Sequence, residues 1–178
     1  MCGRCLGDPP AYDATTAVFT YAFAADVLVQ ALKFRSELAI APLLAHELGT
    51  QIGSCGQGDG GVDLLVPVPL HESRLRERGY NQSMEIARAL AARLGVHVSS
   101  NLCERVRDTP AQIGLAWKDR RENMRGAFSC LRPLDGKTVA VVDDVMTTGA
   151  TLHEMAATLK KFGAARVVNW VVARTPAD

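Results

Sequence analysis

The feature that most constrains this chain is the stretch of residues 139–151, where an apolar run is followed by two acids and a loop of small residues. The four apolar residues that open it, 139–142, predict a buried strand, since no polar side chain interrupts them. Beyond the loop, apolar residues recur at helical spacing from Leu152 and stop before Gly163. The pattern therefore predicts a strand, an acidic pair, a loop and a helix, in that order.

The loop has the composition of an anion-binding turn. Its residues are Thr147, Thr148, Gly149, Ala150 and Thr151. The first backbone N–H groups of a helix have no partner within that helix, and small side chains let an anion approach them. The helix dipole adds about 0.3–1 kcal/mol for an anion at this end. A phosphate group is therefore the expected guest of the loop.

The two acids, Asp143 and Asp144, follow the apolar run at the carboxyl end of the predicted strand, where α/β sheets bind ligands. Because carboxylates repel phosphate, we expect them to face another part of the same ligand. An ionised carboxylate only accepts hydrogen bonds, so vicinal hydroxyls suit the pair. Phosphate and diol together indicate a ribose 5-phosphate. The ordinary structural alternative is a solvated helix entry with a plain Thr-Thr-Gly turn.

The order of residues in this stretch resembles the motif with which type I phosphoribosyltransferases bind 5-phosphoribosyl 1-pyrophosphate (PRPP). The resemblance implies that Asp143 and Asp144 hold the ribose hydroxyls as catalytic residues and that residues 147–151 hold the 5-phosphate. It also implies that an acceptor displaces pyrophosphate, with magnesium carried mostly by the ligand. Catalysis would then come from positioning and charge neutralisation.

Composition limits the other possibilities. The chain has 178 residues, of which 48% are hydrophobic, and this suits one domain with its own core. Its net charge of +1 gives no global field that would attract nucleic acid. No segment has the apolar length of a membrane span, and five cysteines, an odd number, argue against a disulfide framework. We therefore expect a cytoplasmic protein without a membrane span.

The first ten residues contain one C-x-x-C pair, Cys2 and Cys5. Because zinc usually takes four ligands, the pair is half of a zinc ribbon, a redox pair or a pair without function. We favour the half ribbon for residues 1–10 and assign residues 11–178 to a phosphoribosyltransferase domain. Without a second pair, we expect poor zinc affinity.

A second candidate wall of the ligand site lies at the end of the next predicted buried strand, Val62-Asp-Leu-Leu-Val-Pro-Val-Pro69. We expect the pyrophosphate side of the site to be formed by Pro67, Val68, Pro69 and Leu70. Among the arginines that follow at alternate positions, Arg76 and Arg78 are candidate contributors, because a guanidinium group fits a pyrophosphate. The alternative is a solvated run of charges.

The segment between residues 107 and 128 is polar and rich in cations. Its candidate functional residues are Gln112, Lys118, Arg120, Arg121 and Arg125. Three interpretations remain open. The segment is a mobile lid that excludes water from a charged ligand, a basic patch with Trp117 as an aromatic platform for single-stranded nucleic acid, or a surface helix with Trp117 packed inward.

Several segments together resemble the ComF/GntX family, the competence-associated phosphoribosyltransferase-like proteins. They are residues 66–71, 76–83, 109–112, 121–128 and the central stretch, in this order. The family usually carries a four-cysteine zinc module, of which only Cys2 and Cys5 would remain here. It also usually has Ser and a basic residue at the positions of Ala116 and Trp117.

The resemblance implies a type I phosphoribosyltransferase fold, an α/β architecture with a mainly parallel sheet flanked by helices and a small hood. Two functions follow from it. The first is a PRPP-dependent transferase with an unidentified acceptor, linked to DNA uptake. The second is a non-catalytic module that handles single-stranded DNA in natural transformation, with competence proteins as possible partners, and retains the PRPP pocket. A regulator that binds PRPP without turnover is a third, weaker interpretation.

The pattern also predicts individual elements. We expect a strand over residues 18–25, a helix capped by Asp26, a helix over about 38–48 with Pro42 in its first turn, and a helix capped by Ser83. A last buried strand is expected over residues 166–173. Alternation of strands and helices favours a parallel sheet.

Overall fold

A computed structural model describes residues 7, 9–54, 61–108 and 122–176. Its elements, in chain order, are β1 (Ala14–Thr20), α1 (Ala25–Phe34), α2 (Ile40–Ser54), β2 (Leu64–Pro67), α3 (Glu72–Arg78), α4 (Gln82–Leu94), β3 (Cys103–Arg105), β4 (Phe128–Cys130), β5 (Thr138–Met146), α5 (Ala150–Lys161) and β6 (Arg166–Arg174). No helix in these ranges is long and apolar enough to cross a membrane.

The main sheet has four parallel strands in the order β1-β6-β5-β2. β5 lies inside the sheet, with β6 on one side and β2 on the other. Val141 stands opposite Val66 of β2 and Asn169 of β6. Because all four strands run in the same direction, their carboxyl ends meet at one edge. This arrangement confirms the predicted α/β fold with a mainly parallel sheet.

Two hydrophobic clusters lie on opposite faces of the sheet. Val139 and Val141 belong to the cluster that includes α5 and the small sheet of β3 and β4. Ala140 and Val142 belong to the cluster that includes α1, α2 and α4. Successive residues of β5 thus face opposite clusters, as the pleat of a strand requires. The uninterrupted apolar run in the sequence correctly predicted a strand covered on both faces.

The first strand and the first helix both begin earlier than the sequence pattern predicted. β1 covers Ala14–Thr20 rather than residues 18–25, because it pairs with β6 only as far as Thr20 opposite Arg174, where β6 ends. α1 then follows Ala24, whose side chain makes no capping hydrogen bond. Asp26 lies inside the first turn and accepts from the backbone N–H of Val27 at 2.8 Å.

The second helix confirms the position of Pro42 in its first turn but is longer than predicted. It passes Gly49 and continues to Ser54, with Ile52 only 3% exposed. Gly49 does not end the helix because it serves packing instead. A Cβ atom there would lie 2.7 Å from Cδ of Arg93 on α4, so the Arg93 side chain would have to move to admit a larger residue.

Candidate ribose phosphate site

The acidic pair lies within β5 rather than after it. Asp143 and Asp144 are the sixth and seventh residues of the strand Thr138–Met146. The strand continues past them because β6 extends equally far, with Met146 opposite Arg174. Both acids are buried, at 8% and 2% exposure. The predicted position at the carboxyl end of the sheet is correct, but the backbone on both sides of the pair is fixed by the sheet.

Asp143 is held by a hydroxyl group from the neighbouring helix. Its Oδ1 accepts hydrogen bonds from Ser83 Oγ and from the backbone N–H of Asp144, each at 2.9 Å. Ser83 was predicted to cap α4, and this was wrong. Asn81 is the N-cap, since its Oδ1 accepts from the backbone N–H groups of Ser83 and Met84. The Ser83 hydroxyl is therefore available to reach Asp143.

Asp144 is paired with a lysine from the first helix. Lys33 Nζ lies 2.9 Å from Asp144 Oδ2, and the lysine side chain is 21% exposed. The other oxygen, Oδ1, accepts from the backbone N–H of Val145 at 2.6 Å. The sequence shows Lys33 only as a cation near the end of a helix, which the helix dipole alone explains. Its pairing with Asp144 was therefore missed.

Burial and mutual repulsion set the protonation of this cluster. Burial, followed by the charge of Asp144, raises the pKa of Asp143 to about 7, although Lys33 and the hydrogen bond from Ser83 oppose the increase. Burial alone would lower the pKa of Lys33, but the charges of Asp144 and Asp143 raise it. Lys33 is thus charged at neutral pH, whereas Asp143 titrates close to this pH.

The threonine and glycine loop leads directly into α5. Thr147, Thr148 and Gly149 form the turn, while Ala150 and Thr151, predicted as loop, lie in the first helical turn. Gly149 has φ 80°, and a Cβ atom there would lie 2.7 Å from Met146 Cε. The first turn contains no acidic residue, so the dipole and N–H groups at this end favour an anion.

The segment predicted for the pyrophosphate side lies beside the acidic pair. Pro67 ends β2 opposite Val142, the residue before Asp143. Val68 continues the contact, because its N–H donates to the carbonyl oxygen of Val142 at 3.0 Å. The Val68 carbonyl in turn accepts from Asn81 Nδ2 at 3.0 Å. One asparagine side chain thus caps α4 and fixes this segment.

Pro69 and Leu70 follow in the same segment, and both are half-buried. They precede α3, which contains the arginines predicted to assist.

On a helix, alternate residues point in nearly opposite directions. Arg76 pairs with Glu72 at 3.0 Å, and both side chains are more than 70% exposed (71% and 73%). Arg78 instead faces α1 and α4. Its guanidinium lies 5.4 Å from the centre of the Phe34 ring and donates to Gln82 Oε1.

The remaining sequence candidates are mostly outside the described residues: Cys2, Cys5, Gln112, Lys118, Arg120 and Arg121. Arg125 is described and exposed, and its carbonyl oxygen accepts from Arg107 Nη1. The next residue, Gly126, donates its N–H to Glu154 Oε1 of α5 at 2.7 Å. Within the described ranges, no group of three or more His, Cys, Asp or Glu side chains is arranged to hold a metal ion.

Comparison with known proteins agrees with this architecture. Residues 80–178 match the family model described as phosphoribosyl transferase domain. "Competence protein F" of Haemophilus influenzae is 34% identical over 178 residues, which cover 97% of this chain and 78% of that protein. "DNA utilization protein YhgH" of Salmonella typhi is 38% identical over 176 residues, covering 98% and 78%.

A solved purine phosphoribosyltransferase from Pyrococcus horikoshii Ot3 is 17% identical, with a TM-score of 0.44, and the alignment covers 92% of this chain and 90% of that one. The matched domain and the parallel sheet define the class as the type I phosphoribosyltransferase fold. Within that class, the chain belongs to the ComF family of phosphoribosyltransferase-domain proteins.

Proposed function

We propose that the protein binds PRPP and transfers its phosphoribosyl group to an acceptor with release of pyrophosphate. One observation carries this proposal. A buried pair of acids lies at the carboxyl end of β5, and the strand is followed at once by a turn that opens α5 at an end without acidic side chains. A diol and a phosphate joined as in ribose 5-phosphate match these two neighbouring sites.

In this proposal the residues divide the ligand among them. Asp143 and Asp144 accept hydrogen bonds from the ribose hydroxyls, and residues 147–151 bind the 5-phosphate. Residues 67–70 line the pyrophosphate side. The bond between C1 of the ribose and the pyrophosphate oxygen breaks while the acceptor bonds to C1, and the electron pair leaves with pyrophosphate. No side chain acts as a nucleophile, so the protein contributes orientation and electrostatic stabilisation.

Magnesium fits this scheme as part of the ligand. The described residues form no cluster of three metal-ligating side chains, and Mg²⁺ is commonly bound through substrate phosphates and water rather than by a protein cage. We therefore propose that PRPP binds as its magnesium complex. Bound in this way, the ion would neutralise charge on the departing pyrophosphate. Zinc binding by Cys2 and Cys5 stays a prediction.

The central test is calorimetric titration of magnesium PRPP into the wild type and into D143N/D144N. We expect saturable binding by the wild type and at least about tenfold weaker binding by the double variant, because hydrogen bonds to a charged group contribute about 1.5–3 kcal/mol each. Asp13→Asn is a matched control. Asp13 also pairs with a lysine, Lys160, and accepts from Val167, but lies at the opposite, amino edge of the sheet. No binding by the wild type at millimolar PRPP would refute the proposal.

The names of the relatives support a link to DNA uptake and favour a second candidate function. In this alternative, the chain handles single-stranded DNA in natural transformation and keeps the PRPP pocket without catalysis. Binding of single-stranded DNA that falls steeply with salt, and that is lost in R120A/R121A, would favour this alternative. Pyrophosphate release that requires an added acceptor would favour the transferase.

A further inference from the structure

Lys33 is a cation that lies against the acidic pair. The proposed function assigns this pair to the ribose hydroxyls. The Lys33 ammonium group lies 2.9 Å from Asp144 Oδ2, and the oxygen belongs to a side chain that is 3% exposed. Asp143, adjacent in β5, is also buried and is bonded to Ser83 rather than to a cation. The lysine therefore contacts one carboxyl group of the buried pair, that of Asp144, and its charge also acts on the neighbouring Asp143.

The end of α1 that carries Lys33 is fixed on both sides of the lysine. The carbonyl oxygen of Leu32 accepts a hydrogen bond from the Tyr80 hydroxyl group. The ring of Phe34 is covered by the guanidinium of Arg78 at 5.4 Å. Both partners belong to the short stretch of chain that leads from α3 into α4, the helix that provides Ser83. Lys33 and Ser83 thus reach the acidic pair from elements that are joined to each other.

Two adjacent carboxylates in a buried position repel each other and lose hydration when both are ionised. A polyanionic ligand increases this repulsion. We propose that Lys33 is a positioning residue that favours the form in which Asp143 and Asp144 are both ionised, so that both carboxylates accept hydrogen bonds from the vicinal hydroxyls of the ribose. The effect of Lys33 on the ionisation of the acidic pair is a property of the protein alone. The hydrogen bonds from the pair to ribose rest on the proposed function.

Other charged and titratable groups also surround the pair. Tyr21, which precedes α1, interacts with Lys33. From β3, Arg105 interacts with Asp143 and with Asp108, while burial and the charge of Arg74 lower its pKa. α4 contributes the uncharged hydroxyl of Ser83. Because Arg105 remains in any Lys33 variant, the experiment measures the effect of Lys33 above this constant background.

The first experiment needs no ligand. The carboxyl carbons of aspartate are labelled with ¹³C, and their NMR shifts are followed against pH in the wild type, K33M, K33R and K160M. In K33M the acidic pair loses an opposite charge at this distance. We therefore expect the higher of the two apparent pKa values of the pair to rise by about 1–3 units. K33R should titrate like the wild type. K160M, which loses a lysine paired with Asp13, should leave the acidic pair unchanged. Unchanged titration in K33M would overturn the proposal.

The second experiment measures magnesium PRPP binding against pH in the same variants. K33M should bind at least about tenfold more weakly than the wild type at pH 7, and the ratio of dissociation constants should approach one as the pH rises above the shifted titration. A ratio that stays constant with pH would indicate a merely structural role and would contradict the inference. If the wild type itself does not bind PRPP, the proposed function fails, while the ligand-free titration still decides the effect of Lys33 on the ionisation of the acidic pair. Should K33M not fold, Lys33→Gln gives the same test with a polar side chain.

Discussion

Gly149 is the residue on which the proposed 5-phosphate loop depends most directly. Its φ of 80° lies in the left-handed region, and a Cβ atom would lie 2.7 Å from Met146 Cε and 3.1 Å from Tyr12 Oη. In Gly149→Ala we expect a loss of about 1–2 kcal/mol from the backbone and a further loss of about 1 kcal/mol, at the low end of the usual cost of overpacking, because the Met146 methyl group lies at the end of a flexible side chain. Urea unfolding measures the free energy, and titration with ribose 5-phosphate measures the expected loss of binding.

Gly136→Ala separates the two contributions. Gly136 has a similar φ of 77°, but nothing lies within 4 Å of a Cβ atom placed there, and the residue precedes β5 at the opposite edge of the sheet. Its variant should show the backbone loss alone and should bind ribose 5-phosphate like the wild type. Equal destabilisation of the two variants would show that close packing around Gly149 contributes nothing.

The sequence predicted some residues of the candidate site and missed others for a physical reason. Asp143, Asp144 and Gly149 lie in one continuous stretch, so their order alone indicated an acidic pair before an anion-binding turn. Lys33 and Ser83 belong to other elements and meet the acids only through packing of α1 and α4 on the sheet. Periodicity shows which residues share a helix face but does not show which side chain meets them.

At the scale of elements, the beginning of α4 connects the two proposed halves of the ligand site. Asn81 caps the helix with its Oδ1, and its Nδ2 donates to the carbonyl oxygen of Val68. In Asn81→Ala we expect a loss of about 1 kcal/mol from the missing cap, together with weaker binding of pyrophosphate. Thermal unfolding and titration with magnesium pyrophosphate measure the two effects.

Asn81→Asp is the matched variant for this element. Aspartate keeps the oxygen that accepts from the helix N–H groups but cannot donate to Val68. We therefore expect nearly normal stability combined with weakened pyrophosphate binding. If N81D bound pyrophosphate like the wild type, the connection from α4 to the segment of residues 67–70 would have no role in the site.

Element boundaries also separate the two arginines that the sequence analysis grouped together. That analysis left open whether Arg76 and Arg78 contribute to the ligand site or belong to a solvated run of charges. The structure forms the helix α3 over Glu72–Arg78, begun by His71 and ended by Gly79 with φ 82°. Arg76 and Arg78 therefore point in different directions, and only Arg78 contacts α1 among their described interactions. The sequence contained the helix signals, but its charges dominated the interpretation.

At the scale of the whole molecule, strand order determines which segments form one site. The sequence predicted a parallel sheet and two strands with functional ends. It did not predict that β5 pairs with both β2 and β6, because parallel pairing depends on long-range packing of the crossover helices. That order places Pro67 beside Val142 and thereby brings the two predicted walls together.

The buried acid makes the stability of the whole protein depend on pH. Because burial raises the pKa of Asp143 to about 7, the folded protein binds a proton between about pH 4 and pH 7 that the unfolded chain has released. Folding stability from this group therefore falls as the pH rises through that window and is constant above it. D143N lacks this pH-dependent contribution. Between pH 4 and pH 8, the free energy of unfolding of D143N should therefore rise relative to that of the wild type by about a few kcal/mol.

Urea unfolding of both proteins at a series of pH values measures this difference. For Asp13→Asn, the free energy of unfolding relative to the wild type should change with pH in the opposite direction. Although burial would raise it, the pKa of Asp13 is lowered by the hydrogen bonds from Lys160 and the Val167 N–H, so that acid stabilises the fold above its unfolded pKa and loses its effect in acid. Parallel stability curves for D143N and the wild type would contradict the raised pKa. The proposed function requires both acids to be ionised at neutral pH, so a loss of stability at this pH is consistent with acids that serve a ligand rather than the fold.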